Sequence, residues 1–296
     1  MTASLIVPAL CLSLAYGLLS VTAADADQVA TQQWSDAIAI SIERRDYRGG
    51  LPGANRQLGW QWHFKPSHTW SIDNGVLLLR ADLPLYVDPP FWTVYETSSV
   101  WEMGRDYPDW LLRQSPQITA ATGEFVRGHD HLADLTLDLA YGHVLPGRTL
   151  LFGIRSVFPT NEDHSNARRE VLLGPDLFWI EGTGWGEVGA RLTHVVNIAG
   201  HNTFPTSETN LQVLYRHRLN DRWQLISQPI IVYDWAADRG NRLMLPVGGG
   251  VVGVMTLAHK IWQVQFEYYR YTSTADRFGV SHLFKLEIAP RANSNE

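Results

Sequence analysis

The sequence predicts an all-β fold: a transmembrane antiparallel β-barrel of about twelve strands, within a range of roughly ten to fourteen. Apolar and polar residues alternate along many runs, and a period of two is the repeat of a β-strand. Each run is about ten residues long, the length that a tilted strand needs to cross the hydrocarbon layer of a membrane. The connections between runs alternate between short and long, as they do in barrels that span membranes.

The alternation is clearest near the C-terminus. In residues 262–268, Trp, Val, Phe and Tyr alternate with Gln, Gln and Glu. In residues 282–288, His, Phe, Leu and Ile alternate with positions that include Lys285 and Glu287. The apolar face of these runs carries no charge. We therefore expect this face to contact lipid and the polar face to line a water-filled or plugged lumen.

The composition is compatible with this fold. The 296 residues carry a formal charge of −6, which gives no reason to expect nucleic acid as a partner. The mean hydropathy is −0.14, but alternating strands average out, so this value does not exclude a membrane barrel. The 12 Trp, 11 Tyr and 10 Phe match the aromatic girdles of such barrels. The alternative is a large soluble β-protein that is rich in aromatic residues.

The N-terminal residues resemble a secretory signal. Residues 1–23 contain no charged side chain, and they combine an apolar core with small residues at the end. We interpret 1–23 as a signal peptide for Sec export, cleaved after Ala23 or Ala24. Cys11 is the only cysteine and lies inside this segment, so the mature chain would have no disulfide, thiol nucleophile or thiolate metal site.

The rest of the chain divides into three parts. Residues 24–56 are weakly amphipathic and are expected to form a short strand or a periplasmic or lumenal segment, followed by the barrel at 57–290 and a tail at 291–296. Twelve strands are counted from residue 57, with 91–103 as the third. Residues 104–131 have no sustained period and are expected to form a long loop.

The pattern of connections orients the barrel. The brief connections are expected at residues 86–90, 144–147, 181–184, 219–222 and 257–260. The longer, more polar ones are expected at residues 104–131, 159–169, 199–208, 236–241 and 273–279. Such barrels have short turns on the periplasmic side and longer loops outside, so an even strand count places both chain ends in the periplasm.

Alternation also predicts which polar side chains face the lumen. The candidates are Arg80, Asp82, Asp134, Asp138, Glu187, Arg191, Arg216, Arg218, Gln263, Gln265, Glu267, Lys285 and Glu287. They would form a pore lining that sets selectivity, or they would pair across strands and fill a narrow barrel. Because both signs of charge are present, we expect no strong ion selectivity.

Two further groups of residues have structural interpretations. The glycines Gly248, Gly249, Gly250 and Gly253 have no helix or Lys-Ser/Thr after them, so they are expected to bend a strand or admit another backbone rather than bind phosphate. Aromatic residues near strand ends are expected to lie at the membrane interfaces; they are Trp185, Trp223, Trp235, Trp262, Tyr268, Tyr269 and Tyr271.

Several motifs, in their order along the chain, resemble a known family. They are FPT at 158–160, VLLGP at 171–175, WQLISQPIIVYDW at 223–235, LPVGGG at 245–250 and the tyrosine-rich strand at 266–271. This series is similar to the outer-membrane barrels labelled "MetA-pathway of phenol degradation". The resemblance implies an outer-membrane barrel that passes small, often hydrophobic compounds.

Together these observations lead to a functional hypothesis. We expect a barrel in the outer membrane of a Gram-negative bacterium that takes up small hydrophobic or aromatic solutes passively, without a cofactor and without enzymatic activity. Its partners would be outer-membrane lipid, the solute and, during assembly, the barrel-insertion machinery. The alternatives are an outer-membrane lipid-modifying enzyme and a structural barrel without transport. The 104–131 loop would be an inward-folded constriction or an ordinary external loop.

The histidines do not form a convincing chemical site. His129, Asp130 and His131 form a short loop run, but no second cluster supplies the further ligands that zinc needs. His164, Ser165 and Asn166 are adjacent in a polar loop, and neighbours in sequence do not place a serine and a base face to face. The sequence therefore predicts no catalytic residues and no metal site.

Overall fold

The structure is a computed structural model, and the part of the chain that it describes consists entirely of β-strands and their connections. The described residues are 37–48, 57–72, 75–94, 123–127, 130–145, 147–160, 170–200, 206–237, 242–257, 260–272 and 279–290. Within these ranges, no helix has the length and hydropathy to cross a membrane. The expected signal peptide, the tail and the loop at 104–122 lie outside them.

The strands follow one another along the chain in this order: β1 Ala37–Arg48, β2 Leu58–Ile72, β3 Gly75–Val87, β4 Pro90–Val94, β5 Gly123–Arg127, β6 His131–Leu132, β7 Leu135–Leu145, β8 Arg148–Phe158, β9 Glu170–Thr183, β10 Gly186–Gly200, β11 Ser207–Arg218, β12 Trp223–Ser227, β13 Ile230–Asp234, β14 Leu243–Met244, β15 Pro246–Leu257, β16 Lys260–Tyr271 and β17 Gly279–Pro290.

All of these strands except β4 and β5 close into one antiparallel barrel. Each pairs with its neighbours, and the ring closes where β1 pairs with β17, with Ile40 opposite Ile288. The short strands β6, β12 and β14 are continued by β7, β13 and β15, so the wall contains twelve strands. The fold class and the strand number predicted from the sequence are therefore confirmed.

The predicted start of the barrel at residue 57 is wrong, because β1 is part of the wall. It lies between β2 and β17. Ile40 points outward and is 48% exposed, whereas Glu43 points inward and is 7% exposed. The charges of this segment obscured its amphipathic pattern. Glu43 and Arg45 point inward, whereas Arg44 and Asp46 lie on the outward face, where they pair with each other. None of these charges marks the end of the strand.

The predicted strand at 91–103 is also wrong. Pro90–Val94 is a strand, but it pairs with Gly123–Arg127 in a separate two-stranded sheet and not with the wall. Residues 95–103 lie outside the described residues. Residues 86–90 are therefore not a short turn, and the first short turn instead joins β2 to β3 after Ile72. The total of twelve is unchanged because β1 replaces this strand. The N-terminus of β1 and the C-terminus of β17 lie at the rim that carries the short turns.

The two faces of the wall have opposite character. Large apolar side chains point outward, and Phe152 is 64% exposed there. Charged side chains point inward, and Asp138 is only 3% exposed. A continuous exposed apolar surface is unfavourable in water and favourable in hydrocarbon. Trp185 and Trp235 are exposed at opposite rims, where a membrane interface would lie.

The inner face from β3 to β11 also carries a buried apolar cluster. It is formed by Leu78, Ala140, Leu151, Phe178, Ile180 and Leu214. Each of these residues shares its strand face with inward charges on the same strand.

The outward face predicts how arginine substitutions affect stability. Ile154 lies near the middle of β8 and faces outward, whereas Leu145 ends β7 at a short turn. An arginine facing lipid costs about 2–4 kcal/mol at the bilayer midplane and about 0–1 kcal/mol near the interface. We therefore expect Ile154→Arg to lower the free energy of unfolding by about 2–4 kcal/mol and Leu145→Arg by at most about 1 kcal/mol.

Guanidinium titration of the protein refolded in lipid vesicles measures both values. Equal losses for the two variants would contradict a lipid-facing band on β8.

Candidate functional site in the barrel interior

The barrel encloses a cavity of about 390 Å³. This volume is within the range of small-molecule sites, which is roughly 300–1,000 Å³. The lining comes from inward side chains of eleven of the twelve wall strands, with β14 and β15 contributing none. Because alternate residues of every strand face inward, the lining is set by strand register rather than by loops.

Three arginines converge on one buried carboxylate. Arg80 and Arg155 lie directly opposite Asp138 on the two neighbouring strands. The distances to Asp138 oxygens are 2.8 Å from Arg80 Nη2, 2.7 Å from Arg155 Nε and 2.7 Å from Arg191 Nη2. Arg191 Nε also donates to Asp176 Oδ1 at 2.8 Å. We call these five residues the arginine–aspartate cluster.

A second network lies across the closing strands. Lys285 on β17 is 3.2 Å from Glu267 on β16 and 3.3 Å from Glu287 on its own strand. Lys65 on β2 reaches across β1 to Glu287, with its Nζ 3.1 Å from Oε2. These ion pairs connect β2, β16 and β17 on either side of β1, where its pairing with β17 closes the ring.

His63 lies between charged groups on β1 and β3. Its Nδ1 is 2.8 Å from Asp82 Oδ1, and its Nε2 is 3.6 Å from Glu43 Oε1, beyond hydrogen-bond distance. Glu43 in turn accepts a hydrogen bond of 2.6 Å from Arg45. Inward charged groups therefore occur on every wall strand from β1 to β10.

The charges around the cavity balance. The lining contains seven Arg and Lys side chains and four carboxylates. Three more carboxylates, those of Asp176, Glu187 and Glu267, lie just behind and pair with lining cations. The described interior thus carries little net charge around its open space.

The structure brings most of the predicted lumen residues together. The cavity is lined by Arg80, Asp82, Asp138, Arg191, Arg216, Gln263, Gln265, Lys285 and Glu287. Glu187 and Glu267 face inward but are buried against Arg216 and Lys285. Asp134 lies between β6 and β7, and Arg218 is exposed at the end of β11, so both are outside the lining.

Sequence reasoning missed several lining residues. Glu43 and Arg45 were missed because β1 was not recognised as a strand. His63 and Lys65 had a usable signal, since they alternate with Trp62 and Phe64, which face outward. Arg155 lies in an otherwise apolar strand, LFGIRSVF, where a single charge gives no alternation to read.

One side of the cavity is largely uncharged. Strands β11 to β13 contribute three amides, Asn210, Gln212 and Gln228, and two apolar side chains, Leu214 and Ile230. Arg216, near the short-turn end, is their only charged lining residue. Phe178 of β9 extends the apolar part. This uncharged wall offers hydrogen-bonding groups and apolar surface without competing ion pairs.

The expected interface role of Tyr269 is wrong. This side chain is 3% exposed and shares the inward face of β16 with Gln265 and Glu267. Its hydroxyl donates to Glu267 and accepts a 2.6 Å hydrogen bond from the backbone N–H of Gln228. Tyr268, the next residue, faces outward and bonds His282.

The interior also contains a serine, a histidine and an aspartate. Ser41 lies opposite His63 in the β1–β2 register, and His63 bonds Asp82. Ser41 is fully buried, however, and its Oγ has no hydrogen-bond partner. An activated nucleophile needs a bond to its base and access to substrate. This arrangement provides neither.

Metal ligands are sparse in the described residues. No group of three or more His, Cys, Asp or Glu side chains there is placed to hold an ion. His131 lies in β6 opposite Tyr86, and Asp130 accepts a hydrogen bond from the backbone of Asp88. His129 and the 164–166 run lie outside the described residues.

No family model and no curated protein matches the sequence. Among solved structures, the chain is similar to an outer-membrane channel from Pseudomonas putida F1, with 12% identity, a TM-score of 0.55 and coverage of 90% of this chain and 99% of that one. At this identity the likeness supports the barrel fold alone.

Two further solved structures are more distant. The beta domain of the Bordetella autotransporter BrkA has 12% identity and a TM-score of 0.43, covering 87% of this chain and 100% of that one. The CymD monoaromatic hydrocarbon channel has 7% identity and a TM-score of 0.42, covering 92% of each chain. TM-scores below 0.5 are too low to support a conclusion about this chain. The similarity to the phenol-degradation family therefore stays a resemblance.

The arginine–aspartate cluster predicts a large effect for a small substitution. Asp138→Asn keeps the shape of the side chain but removes the charge shared by Arg80, Arg155 and Arg191. Breaking a buried ion pair costs about 3–5 kcal/mol, whereas exposed pairs contribute about 0–1 kcal/mol. We expect a loss of about 3–5 kcal/mol in the free energy of unfolding, measured by denaturant titration.

The matched control is Glu181→Gln, which breaks the exposed pair with Arg148 at the rim. It should cost at most about 1 kcal/mol. A small loss for Asp138→Asn would show that the three arginines are hydrated and not held by the carboxylate.

Proposed function

We propose that this chain is an outer-membrane channel through which small solutes cross passively. The observation that carries the proposal is the closed wall with an apolar outer surface around a polar cavity of about 390 Å³. A soluble protein would bury its apolar face and expose its charges, which is the reverse of this arrangement. Export by the Sec pathway and assembly by the barrel-insertion machinery are part of the same proposal.

The cavity bears on the class of solute. Eleven of the 26 lining residues are Arg, Lys, Asp or Glu, and these side chains form ion pairs with one another, with His63 or with carboxylates just behind, so a small ion must pass between ion pairs. The uncharged wall instead offers Leu214, Ile230 and Phe178 beside three amides. This surface fits small neutral molecules with an apolar part, in agreement with the hydrophobic or aromatic solutes that the family resemblance implies.

The alternative of a lipid-modifying enzyme has less support. Such an enzyme needs a nucleophile and a base on the lipid-facing side near a rim, and the candidate residues Ser41 and His63 face the interior. A structural barrel without transport differs from a channel only in conductance, so a conductance measurement separates these two alternatives.

The test is single-channel recording of the refolded mature protein in a planar bilayer. Discrete conductance steps are the expected result. Asn210 lines the cavity, and the next residue, Leu211, faces the other way. We therefore expect Asn210→Trp to lower the unit conductance, because it fills the cavity, and Leu211→Trp to leave it unchanged.

Absence of steps in protein that is folded by circular dichroism and heat-modifiable mobility would overturn the channel. Equal conductance in both tryptophan variants would show that ions take a path other than this cavity.

A further inference from the structure

The backbone pairing of the barrel wall has a gap of five positions between β12–β13 and β14–β15. On one side, residues 223–226 of β12 pair with 250–253 of β15; on the other, Val232 and Tyr233 of β13 pair with Met244 and Leu243 of β14. Both pairings belong to the same register. The five positions between them, 227–231 and 245–249, are not paired with each other, although all are described. We call this stretch the seam.

The sequence explains why the ladder fails here. Pro229 and Pro246 lie in the two facing segments, and proline has no backbone N–H to donate. Gly248 and Gly249 provide no side chain to fill the wall. The pairing on the far side of each strand persists, since Val213 N–H donates to Pro229 O at 3.1 Å and β15 pairs with β16 along its whole length.

Two side-chain hydroxyls hold the seam together. Ser227 Oγ donates to the backbone oxygen of Gly248 at 2.7 Å. The Tyr269 hydroxyl accepts a bond from Gln228 N–H at 2.6 Å. Tyr269 is opposite Gly248 in the register of β15 and β16, so its ring reaches over the missing side chain of Gly248 to the next strand. Side-chain bonds replace the backbone ladder at this one place.

The seam separates the cavity from the outer surface. Gln228 and Ile230, within the seam, line the cavity, and the outward Val247 is 57% exposed. On the β11–β13 side, the surrounding interior surface is the uncharged wall. On the β16 side, the charged neighbour of Tyr269 is Glu267, which is buried and paired with Lys285. A solute that leaves the cavity through the five unpaired positions breaks no backbone hydrogen bond of a strand ladder.

We propose that the seam is a lateral exit through which neutral apolar solutes pass from the cavity into the hydrocarbon of the membrane, and that Tyr269 is the latch that keeps it closed. This inference rests on the proposed channel function and assigns the route for one class of solute. Ions and polar solutes use the axial path, because the hydrocarbon outside the seam excludes them.

The first test closes the seam with a disulfide between Ser227→Cys and Gly249→Cys. A Cβ at position 249 would lie 3.3 Å from Ser227 Cβ, close to the roughly 3.5–4.5 Å of a disulfide. It would also lie 2.5 Å from the oxygen of Ile226, so the reduced double variant is the control for that contact. Cys11 lies in the predicted leader, so the mature chain has no competing thiol.

The readouts are conductance and the entry of N-phenylnaphthylamine, a neutral apolar dye, into cells with an intact outer membrane. We expect oxidation to slow dye entry severalfold and to leave the conductance unchanged. Dye entry that is equally fast in the oxidised and reduced forms, or independent of the protein, would overturn the lateral exit. Absence of conductance in the unmodified protein would instead overturn the proposed channel function.

The second test opens the latch. Tyr269→Phe removes the hydroxyl that holds Gln228, while Lys285 and Gln265 still bond Glu267. We expect faster dye entry and faster hydrogen exchange of the Gln228 amide. Tyr268→Phe is the matched control, because Tyr268 faces outward and bonds His282. Equal dye entry in the two variants and in the unmodified protein would show that Tyr269 is not a latch.

Discussion

The backbone of this protein must satisfy its hydrogen bonds within the wall, and the rest of the structure depends on that constraint. In hydrocarbon, an unpaired N–H or C=O costs several kcal/mol, so a sheet can span a membrane only if it has no open edge. The pairing of β1 with β17 removes both edges. Closure forces one face of every strand outward and the other inward. The apolar outside and the charged inside follow from it.

The inward face then creates its own constraint. Charges in a narrow interior must be paired, and here the partners lie at facing positions on adjacent strands, as Arg80, Asp138 and Arg155 do. Buried ion pairs are weak evidence for stability. They do act against a change of register, because a shift by one residue would point these charges at lipid. In this barrel the pairs fix register and leave an uncharged wall as the open part of the lining.

The sequence was sufficient for the fold class, because alternation is local and most of the wall strands display it. The strand number is correct because two errors cancelled: β1 was left out of the count and 91–103 was included. Sequence reasoning failed for β1, where charges on both faces, clustered at one end, hid the outward isoleucines. It also failed at Pro90–Val94, which was counted as the start of a wall strand but pairs in a separate sheet. Tyr269 could have been assigned correctly, since it has the same parity as Gln265 and Glu267. The ion pairs and the seam could not, because they depend on the register between strands far apart in sequence.

The central claim is that the lumen is a solute path whose charges neutralise one another. The reversal potential of the open channel in a potassium chloride gradient tests it most directly. Balanced ion pairs around the cavity should give a reversal potential close to zero, and only a modest preference for either ion. A potential close to the Nernst value for potassium or for chloride would contradict the account, because it would mean that one sign of charge faces the path alone.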